Sequence, residues 1–475
     1  MKIVLVRPSD LRGDVSILSH ATPINLGYLA AYLIKNGYEV EIWDYETQQF
    51  FEQDFIQKIY KLQPKIIGFN CFTPTVKSGH KLAKIAKDNF PSIVTLAGGP
   101  HPSALPKRTL EEFPNFDLVV VGEGELTLLE VCRAVQNHKG WQGIKGVAYR
   151  TDSGVKQEER RPLIGNLDDL PFPRRDLMNL EFYRKGHISR GISNRLKNTE
   201  IYTSRGCPIG CFFCAIRTTM GLRLRMRSVE NVLAEAEECL KKYNFDHLAI
   251  ADDSFTYNQE RTVKICEGFQ KLGVKSWHCE GTRVDIVSPQ LLKLMAKSGC
   301  KKVVFGVESG SPRILELIGK RITIEQVKNA FKWAREAGIR YIEGDYIIGS
   351  HPSETIEDLQ KSLDLIKETK PDLISVTTIV PYPGTPAYDF MKEKGYIFSD
   401  DWDQYVMLDQ LPLWRTEFFT PEDLLKLQRK MLKAFYLRPS YLLHMIGKLR
   451  NFEEMKYWSE TGFDFIKWLL RGKLT

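Results

Sequence analysis

"TEIYTSRGCPIGCFFCA", residues 199 to 215, runs from a β-rich segment directly into three cysteines, Cys207, Cys211 and Cys214. A strand that ends in a chemically loaded loop is how a parallel α/β barrel presents its site. The chain has nine cysteines in 475 residues; scattered at random, they would produce a C-x3-C-x2-C spacing only about 0.003 times. An odd, unevenly spread set does not make a secreted disulfide framework, so metal binding or catalysis is the better reading of the cluster. A structural zinc site needs four protein ligands, and the next candidates along the chain are Cys239 and His247, so zinc is the weaker alternative. A cubane [4Fe-4S] cluster usually takes four thiolates. Held by three, it leaves one iron open.

Downstream, the strand and helix alternation continues. Candidate strands are "HLAIADD" (247 to 253), "SWHCEGT" (276 to 282), "KKVVFGVES" (301 to 309), "RYIEGDYIIGS" (340 to 350) and "LISVTTIVPYP" (373 to 383), with helical stretches such as "SVENVLAEAEECLKKY" (228 to 243) between them. With 199 to 205 these make six βα units over 199 to 395, a partial barrel. Its strand ends carry Asp252, Asp253, Glu308 and Ser309 on the same rim as the cysteines.

Upstream, residues 141 to 198 break the alternation: "GVAYRTDSGVKQEE" reads as a hairpin around Asp152-Ser153-Gly154, and "LDDLPFPRRDL" (167 to 177) as an extended connector. Before it, residues 1 to 140 hold five β-rich runs, "KIVLV", "EVEIWD", "KIIGFNC", "IVTLAGG" and "LVVVGEGE", separated by helical patterns. They predict a doubly wound parallel sheet, whose ligands sit at the carboxyl ends of the strands. Those ends are "HATPINLG", "NCFTPT", "GGPHPS" and "GEGE". No G-x-G-x-x-G follows the first strand, which argues against a dinucleotide.

Composition supports more than one core: 43% of residues are hydrophobic and 27% charged. The formal net charge of +8 is spread along the chain and the sheet has no DNA-binding helix pattern beside it, so no nucleic-acid partner is expected. The N-terminus lacks a secretory pattern and no apolar run reaches membrane-spanning length, which predicts a cytoplasmic enzyme. Residues 396 to 475 read as a helical extension. Within it, "YLRPSYLLHMIGKLRNF" and "FDFIKWLLRGKL" mix apolar and basic residues, the pattern of a lid or of a peripheral membrane contact.

The cysteine spacing, the aromatic Phe213 before the last cysteine and the barrel context resemble the radical S-adenosylmethionine (SAM) enzymes over residues 199 to 390. The resemblance implies that SAM chelates the open iron and is cleaved by one electron from the cluster. The resulting 5'-deoxyadenosyl radical then takes hydrogen from an unactivated carbon. It implies SAM contacts from Phe213, Asp252, Arg283, Glu308, Ser309, Arg321 and Gly349. "FGVESGSPRIL" (305 to 315) resembles the family's fourth strand and "YIIGSHPSET" (346 to 355) its fifth-strand glycine motif, although His351 and Ser353 depart from the usual residues.

With the first domain added, the chain resembles the cobalamin-binding subfamily, and the class B radical SAM methyltransferases in particular. That implies a flavodoxin-like cobalamin-binding sheet and a rim of small residues against the flat corrin: Thr22, Pro23, Leu26, Asn70, Thr73, Gly98, Gly99, Pro100, His101, Gly122, Glu123 and Glu125. The Asp-x-His-x-x-Gly signature of cobalamin-dependent mutases is absent, since "SDLRGD" (9 to 14) has no histidine at the needed place. No histidine below the cobalt is therefore expected. The implied function is a C-methyltransferase, with a cyclase or rearrangement enzyme using the same cofactors as the alternative and a non-catalytic cobalamin or redox sensor as another. The implied partners are a small-molecule or lipid-like substrate and an external electron donor such as flavodoxin or ferredoxin.

Overall fold

The computed structural model describes residues 1–9, 21–184, 197–407 and 410–450, and, beyond these, 452, 454–459 and 462–463. In the first domain, five parallel strands, β1 (Lys2–Arg7), β2 (Glu39–Asp44), β3 (Ile66–Asn70), β4 (Val94–Gly98) and β5 (Leu118–Val120), lie in the order β2-β1-β3-β4-β5. This is the expected doubly wound sheet. β3 is buried at every residue because helices cover both faces. Ile3, Leu5, Leu26 and Leu33 pack on one face, whereas Val4, Val6 and Phe69 of the other belong to a core that continues into the second domain. The domains therefore share packing.

The hairpin expected in the connector is instead part of this sheet. β6 (Val147–Thr151) pairs antiparallel with β5, and β7 (Gly154–Gln157) pairs with β6, making seven strands and carrying the first domain past residue 140. Val147 and Ala148 are buried, and covering the edge of β5 is what buries them.

In the second domain, β8 (Asn198–Ile201) is followed by a two-residue antiparallel pair, β9 (Ser204–Arg205) with β10 (Arg225–Met226), which ties off the cysteine loop. β11 (His247–Ile250), β12 (Trp277–Thr282), β13 (Cys300–Glu308), β14 (Tyr341–Ile348) and β15 (Leu373–Thr378) complete a six-stranded parallel sheet in the order β15-β14-β13-β12-β11-β8. All six expected strands are present, and the barrel is open between β8 and β15. Each open edge is covered. At β15, Gln428 Nε2 donates to Val376 O at 2.8 Å and Tyr436 Oη donates to Ile374 O at 2.7 Å, both from the helix Pro421–Tyr436. At β8, Arg175 of the connector donates to Glu200 O at 2.8 Å and to Thr199 Oγ1 at 3.1 Å, while Glu235 accepts from its guanidinium at 2.6 Å. The connector is thus an anchor rather than a bare spacer.

Among the described residues the C-terminal extension opens as an irregular stretch with one helical turn at Trp402–Gln404, then forms the helices Pro421–Tyr436 and Pro439–Lys448, with further helical residues at 454–459. Before them the chain clasps the first domain. Trp402 is buried against His101, with ring centroids 4.9 Å apart, its Nε1 donates to Glu112 at 2.7 Å, and Asp401 pairs with Lys77. Of the two amphipathic stretches, 463 to 474 lies outside the described residues apart from Phe463.

Candidate cluster and cobalamin site

The cysteine loop is fixed at both ends before it reaches its first thiol. Asp252, at the end of β11, accepts from the Thr203 backbone N–H and from the hydroxyls of Thr203 and Ser204. Arg261 donates to Thr203 O at 2.7 Å, and Arg227 to Tyr202 O at 2.8 Å. Gly206, at φ +90°, is required there: a Cβ would lie 2.4 Å from Arg223 O. Beyond it, Phe212 N–H donates to Ile318 O at 2.9 Å and Phe212 O accepts from Ala387 N–H at 3.1 Å. Asp252, expected at SAM, is spent on holding the loop.

Cys211 is buried and Cys207 and Cys214 are half-buried. Burial pushes the Cys214 thiol up to about 12, with the charges of Cys211 and Cys207 adding, and raises Cys211 too. Three buried or half-buried cysteines on one loop suit metal coordination, which deprotonates a thiol outright. No group of three or more His, Cys, Asp or Glu among the described residues could hold a single metal ion. The other six cysteines are all buried in packing elsewhere, such as Cys239 beside Arg175 and Glu235. Three thiols on one loop fit the cluster.

Beside Cys211 stand Glu308, Lys320 and Arg283. Glu308 ends β13 in the left-handed region, φ +68°, across a register shift from Gly306. Such strain in a non-glycine residue is found mostly at functional sites. Lys320 Nζ donates to Glu308 Oε1 at 2.7 Å, and a Cβ on Gly306 would meet both atoms within 3 Å. A carboxylate and an ammonium side by side complement the amino-acid end of SAM. Arg283 is buried but bound to Asp285 at 2.9 Å and to Lys320 O at 3.0 Å. Arg321, in contrast, is exposed, and Lys320 is the cation that enters the site.

Ser309 is fully buried, with its hydroxyl 3.4 Å from Glu354 Oε1 and 3.5 Å from Ser362 Oγ. Gly349, at φ +70°, donates its N–H to Glu354 Oε2 at 2.6 Å. Glu354, which the sequence reading did not single out, therefore joins the fourth- and fifth-strand motifs. Burial pushes its carboxyl up to about 8. Phe213 packs partly buried against the main core.

On the first domain, Gly98, Gly99 and Pro100 form the turn after β4, and Gly99, at φ +105°, has no room for a Cβ beside Asn70 Oδ1 and the Cys71 backbone. Asn70, Thr73 and His101 are buried around it. Burial holds the His101 imidazole down to about 3, and its Nδ1 lies 3.4 Å from Thr73 Oγ1. Gly122 donates its N–H to Ser103 Oγ at 2.9 Å. Thr22 is buried there beside Glu200, and the open backbone at these strand ends, such as Gly122, where an added Cβ would meet nothing nearer than 3.9 Å, fits a broad flat ligand. Pro23 and Leu26 are buried at the start of the first helix, Leu26 within the core beneath the sheet.

Glu123 and Glu125, expected beside the corrin, are engaged by the barrel. Glu123 accepts from Arg205 at 2.9 Å and Arg225 at 2.7 Å, and Glu125 from Arg205 at 2.7 Å, all four side chains nearly inaccessible to solvent. The short helix Pro100–Ala104 packs directly on Ile216–Thr219 of the cysteine loop. The turn after β4 and the cysteine loop thus meet face to face.

The comparisons agree with this arrangement. The B12 binding domain family matches residues 15–132 and the Radical SAM superfamily residues 201–366. An uncharacterized methyltransferase of Pyrococcus horikoshii is 33% identical over 453 residues, covering 95% of this chain and 96% of its own. The anaerobic magnesium-protoporphyrin IX monomethyl ester cyclase of Rubrivivax gelatinosus is 27% identical, over 96% of this chain and 81% of its own. Among solved structures, the radical SAM methyltransferase TsrM from Kitasatospora setae, with cobalamin and a [4Fe-4S] cluster bound, shares the fold with a TM-score of 0.71 at 17% identity, over 92% of this chain and 89% of that one. With two cofactor-binding domains in this order and a relative that matches along nearly the whole chain, the protein belongs to the radical SAM enzymes that carry an N-terminal B12-binding domain.

Proposed function

We propose that the enzyme is a C-methyltransferase acting on an unactivated carbon of a small molecule. The observation that carries the reading is the packing of Pro100–Ala104 on Ile216–Thr219, which puts the cobalamin turn of one domain against the cysteine loop of the other. Bound together, the three cofactors supply an electron, a hydrogen-abstracting carbon radical and a methyl group. This chain's own part is positional. Cys207, Cys211 and Cys214 hold the cluster, and Glu308 with Lys320 receives the amino-acid end of SAM. Arg205 and Arg225, clamped on Glu123 and Glu125, keep the two cofactor domains in register. No acid-base pair is needed for hydrogen-atom transfer.

The test is incubation of the anaerobically reconstituted, reduced enzyme with a small-molecule extract and SAM carrying a trideuterated methyl group. A product gaining one labelled methyl in place of hydrogen supports the reading. A product that loses or exchanges hydrogen without label assigns cyclisation or rearrangement instead.

A low-potential donor of the flavodoxin or ferredoxin type would supply the electron. A peripheral membrane contact through the C-terminal segment is supported by Leu443 and Ile446 of Pro439–Lys448, 71% and 63% exposed. Co-sedimentation with anionic liposomes, lost on deleting residues 440 to 475, is the expected result; no co-sedimentation of the full chain contradicts it.

A further inference from the structure

In the first sheet β3 lies between β1 and β4. The chain that follows each of these neighbours touches the barrel. The Thr22 backbone N–H, after β1, donates to Glu200 Oε1 at 3.2 Å, and Pro100–Ala104, after β4, packs on Ile216–Thr219. One strand further, Glu123 after β5 is held by Arg205 and Arg225. The loop after β3 sits among these contacts, yet its Phe72 is 45% exposed. The two domains therefore leave a gap in front of that ring, closed on either side, and gaps of this kind at the carboxyl ends of parallel strands are where ligands bind.

The ring is presented by a fixed backbone. Cys71 N–H donates to Gly98 O at 2.7 Å and Cys71 O accepts from His101 N–H at 3.3 Å, which joins the loop to the turn after β4. Phe72 N–H donates to Thr75 Oγ1 at 3.1 Å, and Phe72 O accepts from Thr75 N–H at 3.1 Å, closing the turn Thr73–Thr75. That turn packs in its own right on Trp402–Gln404 of the clasp. Asn70, Cys71 and Thr73 are all buried, so of these four residues only Phe72 points out of the loop.

A phenyl ring held against water is stabilised by any broad apolar surface that covers it, and the face of a corrin is such a surface. The ring has no lone pair to offer a metal. A hydrophobic side chain beside a metal instead controls the access of solvent to it.

We propose that Phe72 lies against the corrin face turned toward the sheet and keeps the cobalt without a protein or water ligand on that side. The opposite face is then left for the chemistry at the cysteine loop. Phe72 is a cofactor-binding residue that forms no bond to the cobalt and acts by filling the place of a ligand. The assignment rests on the B12-binding domain and is independent of whether a methyl group is transferred.

The test is electron paramagnetic resonance of cobalt(II) in the full chain, loaded anaerobically with cobalamin and with the cluster left oxidised and diamagnetic. The wild type is compared with Phe72→His, Phe72→Ala and Phe72→Leu, each checked for its corrin absorbance. The wild type is expected to show cobalt hyperfine lines without nitrogen splitting, whether from an imidazole or from the cofactor's own nucleotide base. Phe72→His should gain a nitrogen splitting whose pattern changes when the enzyme carries isotope-labelled histidine, since imidazole is a ready metal ligand. Phe72→Ala, which opens the face to water, should reduce the cobalt hyperfine coupling. Phe72→Leu keeps an apolar cover and should match the wild type, which separates loss of the cover from a general disturbance of the loop.

A Phe72→His enzyme that holds cobalamin without nitrogen splitting, a Phe72→Ala spectrum identical to that of the wild type, or nitrogen splitting in the wild type itself each overturns the proposal. These spectra are read without turnover. A failure to methylate would sink the functional reading and leave the assignment of Phe72 standing.

Discussion

Glu354 carries a buried carboxyl whose pKa stands at about 8 against an ordinary 4.5. The folded state therefore keeps a proton that the unfolded chain releases between those values, so stability should fall as pH rises through that window and level off above it. For one proton the slope approaches about 1.4 kcal/mol per pH unit. Glu354→Gln should flatten this slope and gain on the wild type above neutrality, as urea midpoints at several pH values will show. An identical slope in the variant would contradict the assignment. His101 works in the opposite sense: with its imidazole at about 3, it contributes stability that is lost as pH falls from 6.5 toward that value. Its ring packs edge-on against Trp402. Electron paramagnetic resonance of the reduced cobalamin should show no imidazole-nitrogen splitting, and His101→Gln should leave the spectrum unchanged. The limits of reading single residues show at Lys320 and Arg321: both are cations after the same helix, and only the positive φ of Arg321 and the Glu308 pair decide which one enters the site.

At the scale of elements, the interface depends on two short loops held by buried charges. Glu123 is paired with both Arg205 and Arg225, so Glu123→Ala leaves the buried Arg225 without a carboxylate and Arg205 with Glu125 alone, and should cost about 3 kcal/mol, far more than Glu260→Ala in the exposed pair of Glu260 with Lys264. Denaturant midpoints of the two variants make the comparison, and equal losses would deny the interface its role. Every parallel strand was legible in the sequence, because β-branched runs buried on both faces alternate with amphipathic helices. The hairpin β6–β7 was legible as a hairpin but not as an edge of the first sheet. Its turn chemistry is local, whereas its pairing with β5 depends on where the chain returns in space. The clasp around Trp402 was hidden for the same reason: its partners, Glu112, Lys77 and His101, are some three hundred residues away in sequence.

For the whole molecule, the continuous core and the buried Glu123, Glu125, Arg205 and Arg225 array make the two domains one cofactor-holding unit. The cysteines and the glycine-rich turns could be read from the sequence because their spacing alone carries the chemistry. The charges that lock the domains together could not, since Glu123 and Glu125 look the same whether they face a corrin or an arginine. The account depends on three thiolates leaving one iron free for SAM. The direct measurement is 5'-deoxyadenosine formed from SAM by the dithionite-reduced, anaerobically reconstituted full chain, alongside Cys211→Ala treated identically. The account predicts deoxyadenosine from the wild type and none from the variant; a wild type with a complete cluster that leaves SAM intact, or a variant that cleaves it equally well, would contradict it.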